Sequence, residues 1–269
     1  MKGPFIILIC TVLFFSSCSE YQKALRSDDI GRKYAAADSL YQIGKYRKAL
    51  KLFEQIVPSY RGKPQSERIM FMYANTFYNL GDYVLAGYQF ERFETSYPKS
   101  DSVEVAAYRS AKSYYELSPR YSLDQADTYK ALDKLQAYIN EYPSTEYRDE
   151  ANNLVKELRE KLERKDFEIA NQLLRISDYK PAIAAFENFI SDHPGSKYRA
   201  EAFYKRFEAA YKLAINSIPT LVEERLLTSK EYYQSFKKYY KDTELDVEAQ
   251  KIMEDVNARL TVTETETTP

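Results

Sequence analysis

The chain has 269 residues with 39 Lys plus Arg against 40 Asp plus Glu, a formal charge of −1. That balance gives no general electrostatic reason to bind nucleic acid, whose capture needs a cationic surface to displace condensed counterions. One His and two Cys leave no material for a zinc site of the usual composition, or for a nucleophile–histidine pair beyond that one imidazole, so catalysis is a poor first reading. Seven Gly, no Trp, 26 Tyr and 14 Phe describe a chain poor in tight turns and rich in bulky contacts, which points to helix.

Lys2 precedes an apolar run from Phe5 to Phe15, followed by Ser16, Ser17 and Cys18, with no acidic residue before Glu20. This is the layout of a secretory signal peptide, and the run is too short to span a bilayer, which takes about 20 apolar residues. Cys18 directly after small residues resembles a bacterial lipobox, with Phe15 where Leu is commoner. The resemblance implies loss of residues 1–17 and diacylation of Cys18; the alternative is an ordinary signal peptide cut near a Cys. Cys10 lies inside the apolar run and leaves with it, so Cys18 is the one Cys of the exported chain. In an oxidising compartment acylation removes an otherwise reactive thiol. Two or three acyl chains, at about 0.8 kcal/mol per buried CH₂, anchor a protein without a transmembrane helix. Ser19, where Asp favours inner-membrane retention, implies by the same resemblance the periplasmic face of the outer membrane. Residues 18–29 read as anchor and linker.

From residue 30 a helical phrase recurs: Phe53, Ile56, Tyr60; Phe90, Phe93, Tyr97; Leu135, Tyr138, Tyr142; Phe186, Phe189, His193; Tyr233, Phe236, Tyr240. Steps of three and four put each trio on one helical face. Pro98, Pro143 and Pro194 end three of these helices, and Ser100, Thr145, Ser196 and Thr243 follow as expected N-caps. Upstream stand the turns Gly44-Lys-Tyr46, Gly81-Asp-Tyr83 and Ser177-Asp-Tyr179, then Ala49, Ala86 and Ala182. Ala37, Ala74, Ala111 and Ala170 recur on the preceding helices, where small side chains let crossing backbones approach. The sequence helix, Gly-Asp-Tyr turn, helix, Pro resembles the tetratricopeptide (TPR) repeat, and implies an all-α, right-handed superhelix of about five helix pairs.

The copies are 37, 45, 51 and 47 residues apart, against an ideal period of 34. In the third, Leu117–Lys130 lengthens the loop between helices, with Ser118-Pro119 as a stop and Asp124–Asp127 as a new start. In the fourth, Thr145–Ile176 lacks Pro and Gly and carries the i,i+4 pairs Glu157/Lys161 and Arg159/Glu163, which predicts one long solvated helix. The expected organisation is repeats 1–3 over 30–143, the long helix with repeats 4–5 over 144–260, and a polar, disordered tail over 261–269.

His193 stands at the register of Tyr60, Tyr97, Tyr142 and Tyr240, so repeat position explains it as a structural residue. Gly44-Lys45 and Gly62-Lys63 lack the spacing of a phosphate loop. The Lys237–Lys241 cluster reads as a basic helix end complementing the helix dipole. Tyr73, Tyr78, Tyr114 and Tyr115 on first helices are expected to line a half-wet groove, because a buried phenol needs a polar partner. Such a groove has no sheet edge and must bind through side-chain pockets and aromatic anchors. The expectation is binding rather than catalysis, with no metal, no cofactor beyond the lipid on Cys18, and no nucleic acid.

The lipobox, the degenerate TPR units, the insertion at 118–125 and the long helix together resemble the BamD family of the outer-membrane β-barrel assembly machinery, in its Bacteroidetes form, over roughly residues 20–260. The resemblance implies a scaffold whose C-terminal repeats dock on a POTRA domain of the barrel-forming subunit, with accessory lipoproteins as further partners. Its N-terminal repeats receive the aromatic-ended C-terminal signal of unfolded outer-membrane β-barrel proteins. The matching receptor segment runs from Tyr60-Arg61-Gly62-Lys63-Pro64 through the helix Ser66–Leu80. On that reading Arg61, Lys63 and Arg68 hold a terminal carboxylate and Tyr73 or Phe77 stacks on the terminal ring. A TPR lipoprotein scaffolding peptidoglycan, polysaccharide or secretion complexes fits the same residues.

Overall fold

The computed structural model describes residues 20–266, with side chains to 261. The expected signal peptide, Cys18 and Ser19 lie outside the described residues. The elements are α1 (Ile30–Gln42), α2 (Tyr46–Tyr60), α3 (Ser66–Leu80), α4 (Tyr83–Ser96), α5 (Val103–Leu117), α6 (Ala126–Glu141), α7 (Arg148–Arg175), α8 (Tyr179–Asp192), α9 (Arg199–Ile215), α10 (Pro219–Tyr240) and α11 (Glu244–Glu266). The fold is all-α among the described residues. Two compact units divide it: the chain up to Pro119 together with Asp124–Leu158, and Arg120–Leu123 together with the chain from Arg159 onward. The boundary falls inside α7, the long helix predicted from the absence of Pro and Gly.

Within each unit the helices pair in sequence order, α1 with α2, α3 with α4, α5 with α6 and α9 with α10. Backbone chemistry sets the turns. Gly44 and Gly81 are left-handed at φ 72° and 77°, and Gly81 closes α3 by donating its N–H to the carbonyls of Phe77 and Tyr78. Ser177 holds the same register and the same conformation, φ 63°, which for an L side chain costs roughly 1–2 kcal/mol. Asp82 caps α4 by accepting from the Leu85 N–H at 3.2 Å.

The expected N-caps act one turn earlier than predicted. Ser100, Thr145 and Ser196 accept from the N–H groups of Ser102, Tyr147 and Tyr198 at 3.1, 3.2 and 3.2 Å. Their carbonyls accept from Val103, Arg148 and Arg199, the first residues of α5, α7 and α9. Each hydroxyl thus closes a Ser/Thr turn that feeds the helix, directly after a turn across the Pro in which the N–H groups of Ser100, Thr145 and Ser196 donate to the carbonyls of Tyr97, Tyr142 and His193. Thr243 departs further and donates to the Tyr240 carbonyl.

The core is built as the phrase predicts. Ala37, Ala74 and Ala170 are fully buried, as are Ala49, Ala86 and Ala182 opposite them, and Phe53, Phe90, Leu135 and Phe186 fill the space between. His193 behaves as a repeat-position residue: its ring lies 4.9 Å from Phe189, as Tyr97 lies 5.3 Å from Phe93, and its Nε2 is 3.0 Å from Asp166 Oδ2.

Two expectations are corrected. Residues 20–26 are not a linker but a helical turn pair whose Tyr21 and Ala24 are buried in the first cluster; the spacing Tyr21, Ala24, Leu25 puts apolar groups on one face. The segment expected as the tail begins as helix: α11 continues to Glu266, since propagating an existing helix adds one hydrogen bond per residue fixed, and the Thr261 hydroxyl bonds back to the Asn257 carbonyl at 3.0 Å, while residues 267–269 lie outside the described residues.

Candidate functional site

In the first unit, first helices lie side by side, so a residue on one meets the residue about one repeat further on. Arg109 on α5 donates from Nη1 to the Asn75 side-chain oxygen on α3. Its guanidinium lies 5.8 Å from the Tyr78 ring centroid, and its charge also acts on Tyr41 of α1 and on Tyr147. Asn75 is buried while Tyr41, Tyr78, Arg109 and Tyr147 are half-buried. Burial raises the Tyr41 phenol, with Arg109 working against it. Burial likewise raises Tyr78, opposed by Lys112 and Arg109.

One turn on, Lys112 Nζ pairs with Glu150 at 2.6 Å, and this lysine, then Tyr108, holds the carboxyl below its usual range. Tyr108 is stacked on Tyr147, centroids 4.3 Å apart and rings 8° from parallel. Burial and then Glu150 push the Tyr108 phenol far above the usual tyrosine range. At the end of the row the Tyr115 hydroxyl donates to Glu157.

The chemistry of this face follows from a difference between its two cations. Lys112 is matched by a carboxylate, whereas among the described residues none lies within ion-pair distance of Arg109. A half-buried guanidinium held in place by an amide and bordered by phenols is a preorganised receptor for an anion, and a planar fork favours a carboxylate.

The residues singled out from sequence are dispersed. Arg61 and Lys63 are exposed in the turn after α2, where Lys63 Nζ lies 5.1 Å from its neighbour Tyr60's ring. Arg68 is already committed to Asp38 of α1, at 3.0 and 3.2 Å to the two carboxylate oxygens. Tyr73 is half-buried with its ring 4.9 Å from Phe77, and burial raises its phenol. Phe77 is 4% exposed in the core with Phe90 and Phe93, so it offers no ring face to a ligand; its stacking role is withdrawn on packing grounds. No contact among the described residues joins Arg61 or Lys63 to Tyr73.

Arg109 and Asn75 were missed although a signal was present. Tyr41, Tyr78 and Tyr115 each follow the recurring Ala37, Ala74 and Ala111 by four residues, so one helical face carries a tyrosine per repeat. Of the tyrosines named in advance, Tyr78 and Tyr115 lie on this row, while Tyr114 turns to the second helices under Lys130, 4.4 Å from its ring. No helix among the described residues is long and apolar enough to cross a membrane, and none of their His, Cys, Asp and Glu side chains cluster as metal ligands do.

The chain is similar to known proteins in three comparisons. The outer membrane protein assembly factor BamD of Caulobacter vibrioides is 29% identical over 111 residues, 41% of this chain and 36% of that protein. The BamD of Rickettsia prowazekii is 24% identical over 172 residues, 64% of this chain and 68% of that one. The match thus spans about a third of the length of the first relative and two thirds of the second. Among solved structures, the TPR2AB-domain–pHSP90 complex of yeast Sti1 covers 85% of this chain and 98% of its own at 14% identity and TM-score 0.41. The TPR domain of P58(IPK) covers 90% and 67% at 15% identity and the same score. Residues 27–216, well over half of the sequence, match the family model YfiO, described as an outer membrane lipoprotein. The chain belongs to the YfiO family of outer membrane lipoproteins.

Proposed function

We propose that this chain is a non-catalytic component of outer-membrane protein assembly. The first-helix face of its first unit binds the carboxylate end of an unfolded outer-membrane β-barrel protein. The observation that carries this reading is Arg109: a half-buried cation, oriented by Asn75 and flanked by Tyr41 and Tyr78, with no carboxylate partner among the described residues. The phenols supply amphipathic contact area for an aromatic-ended segment, and the guanidinium supplies its one directional charge contact. Both relatives named above are outer membrane protein assembly factors, which supports the same process. The wider reading follows the family resemblance. Acyl chains on Cys18 hold the protein on the periplasmic face of the outer membrane, and the second unit docks on a POTRA domain of the barrel-forming subunit. Co-purification in mild detergent with a POTRA-bearing barrel protein tests that docking, and a clean preparation without it sends the scaffold to another envelope complex.

The binding site is tested with a labelled peptide ending in Phe, free acid against C-terminal amide, titrated into the full chain. Arg109→Gln is expected to weaken the free-acid peptide about ten- to hundredfold, the range of one hydrogen bond to a charged group at about 1.5–3 kcal/mol. Amidation is expected to weaken wild type by the same factor and Arg109→Gln no further. If amide discrimination survives in Arg109→Gln and disappears instead in Arg61→Glu/Lys63→Glu, the carboxylate belongs to the turn after α2.

A further inference from the structure

The repeating phrase defines what each second-helix position faces. Three residues before its first large side chain stand Leu50, Gly87, Leu132 and Ile183; four residues after it stand Val57, Glu94, Ile139 and Ile190. Both positions turn toward the following pair. Leu50 packs in the cluster of Phe77 and Phe90, a Cβ added at Gly87 would lie 3.4 Å from the Tyr114 ring on α5, and Ile190 packs in the cluster of Phe203 and Phe236.

On α10 the same two positions are Lys230 and Lys237. Between them Tyr233, at the register of the fully buried Phe53, Phe90 and Phe186, stays half-buried. The first helix of the next pair is present as α11, which lays Met253, Glu254 and Asn257 along the opposite wall of an open groove of about 390 Å³. In the earlier pairs a second helix completes this junction; among the described residues no helix other than α9 and α10 packs on α11. Lys237 Nζ donates to the Tyr233 hydroxyl at 3.2 Å, and no carboxylate among the described residues lies within ion-pair distance of Lys230 or Lys237.

We propose that the α10–α11 groove is a docking site for an acidic amphipathic helix of a protein partner. Carboxylates two turns apart on the partner meet Lys230 and Lys237, and its apolar stripe covers Tyr233 and the exposed edge of Met253. Charge decides the occupant: earlier pairs present mostly apolar groups here to their own chain, whereas this junction presents two ammonium groups on the α10 wall against one carboxylate, Glu254, on the α11 wall. The site lies in the second unit and stands or falls independently of the Arg109 face.

The probe is a hydrocarbon-stapled, fluorescein-labelled helix with Glu at i and i+7 and Leu at i+3 and i+4, beside a peptide with Lys replacing Glu, each titrated with the full chain by anisotropy. The acidic peptide is expected to bind wild type and to lose about tenfold or more in affinity with Lys230→Glu/Lys237→Glu, while the lysine peptide gains for that variant. Lys230→Gln/Lys237→Gln, which leaves no new charge, is expected to fall between. Circular dichroism checks that both variants keep their helix content. No binding of the acidic peptide to wild type, or equal binding to wild type and both variants, overturns the proposal and leaves the lysines as a solvated face of α10.

Discussion

Phe186→Ala is expected to destabilise the second unit by about 3–5 kcal/mol, the range for truncating a buried Phe. The side chain is fully buried where α7, α8 and α9 meet, 6.0 Å from the Phe167 ring and clustered with Ala170, Ala182, Ala202 and Ala209. Those alanines already let the helix backbones approach, so little movement remains by which the walls could close on the vacated space, and the upper half of the range is expected. A typical domain is stable by only about 5–15 kcal/mol, so the loss is a large share of the total. Tyr233→Ala is the control at the same register: half-buried beside the open groove, it should cost about 2 kcal/mol or less. Urea unfolding of both variants makes the comparison, and equal losses would mean that register does not determine burial here.

That contrast also shows how far the fold was legible. A trio spaced by three and four, ended by Pro and preceded by a left-handed turn, states helix, end and buried face in one phrase. The long α7 was equally plain, because a segment without Pro or Gly has nothing to stop it. What failed depended on atoms that the pattern does not carry. Ser100, Thr145 and Ser196 bear the right hydroxyl, but whether it caps the helix or the turn before it depends on where the preceding Pro leaves the backbone. Phe77 looked like a surface aromatic because a first helix has both a packed and an open face, and one residue of rotation separates it from Tyr78. Arg109 escaped notice because its significance lies in a missing partner: Arg68 has Asp38, Lys112 has Glu150, and Arg109 has an amide. Pairing across repeats is a tertiary fact, invisible to local charge patterning.

The second large effect concerns a residue that breaks the repeat pattern. Glu94 stands at the register of Val57, Ile139 and Ile190, facing the next pair, so its carboxylate occupies a place that is apolar in those three pairs. Burial first, then the nearby Glu91 and Glu141, raise its pKa from the ordinary 4.5 to about 7, against the pull of Lys134. Lys134 meets Glu91 at 2.7 Å, while Glu94 Oε1 is buried without a hydrogen-bond partner. A folded-state pKa above the unfolded value means that the native state holds the proton more tightly. The associated stability is fully present below about pH 4.5 and is lost as pH rises to about 7, beyond which the buried charge is a constant penalty. At about 1.4 kcal/mol per pH unit the displacement corresponds to roughly 3.4 kcal/mol, which partial exposure of the side chain reduces to about 2. Glu94→Gln keeps the shape and removes the ionisation. It is therefore expected to stabilise the first unit by about 2 kcal/mol at pH 8 and to change it little at pH 4.5, as measured by urea unfolding at both values. A gain of the same size at both pH values would locate the effect in packing, not in the proton.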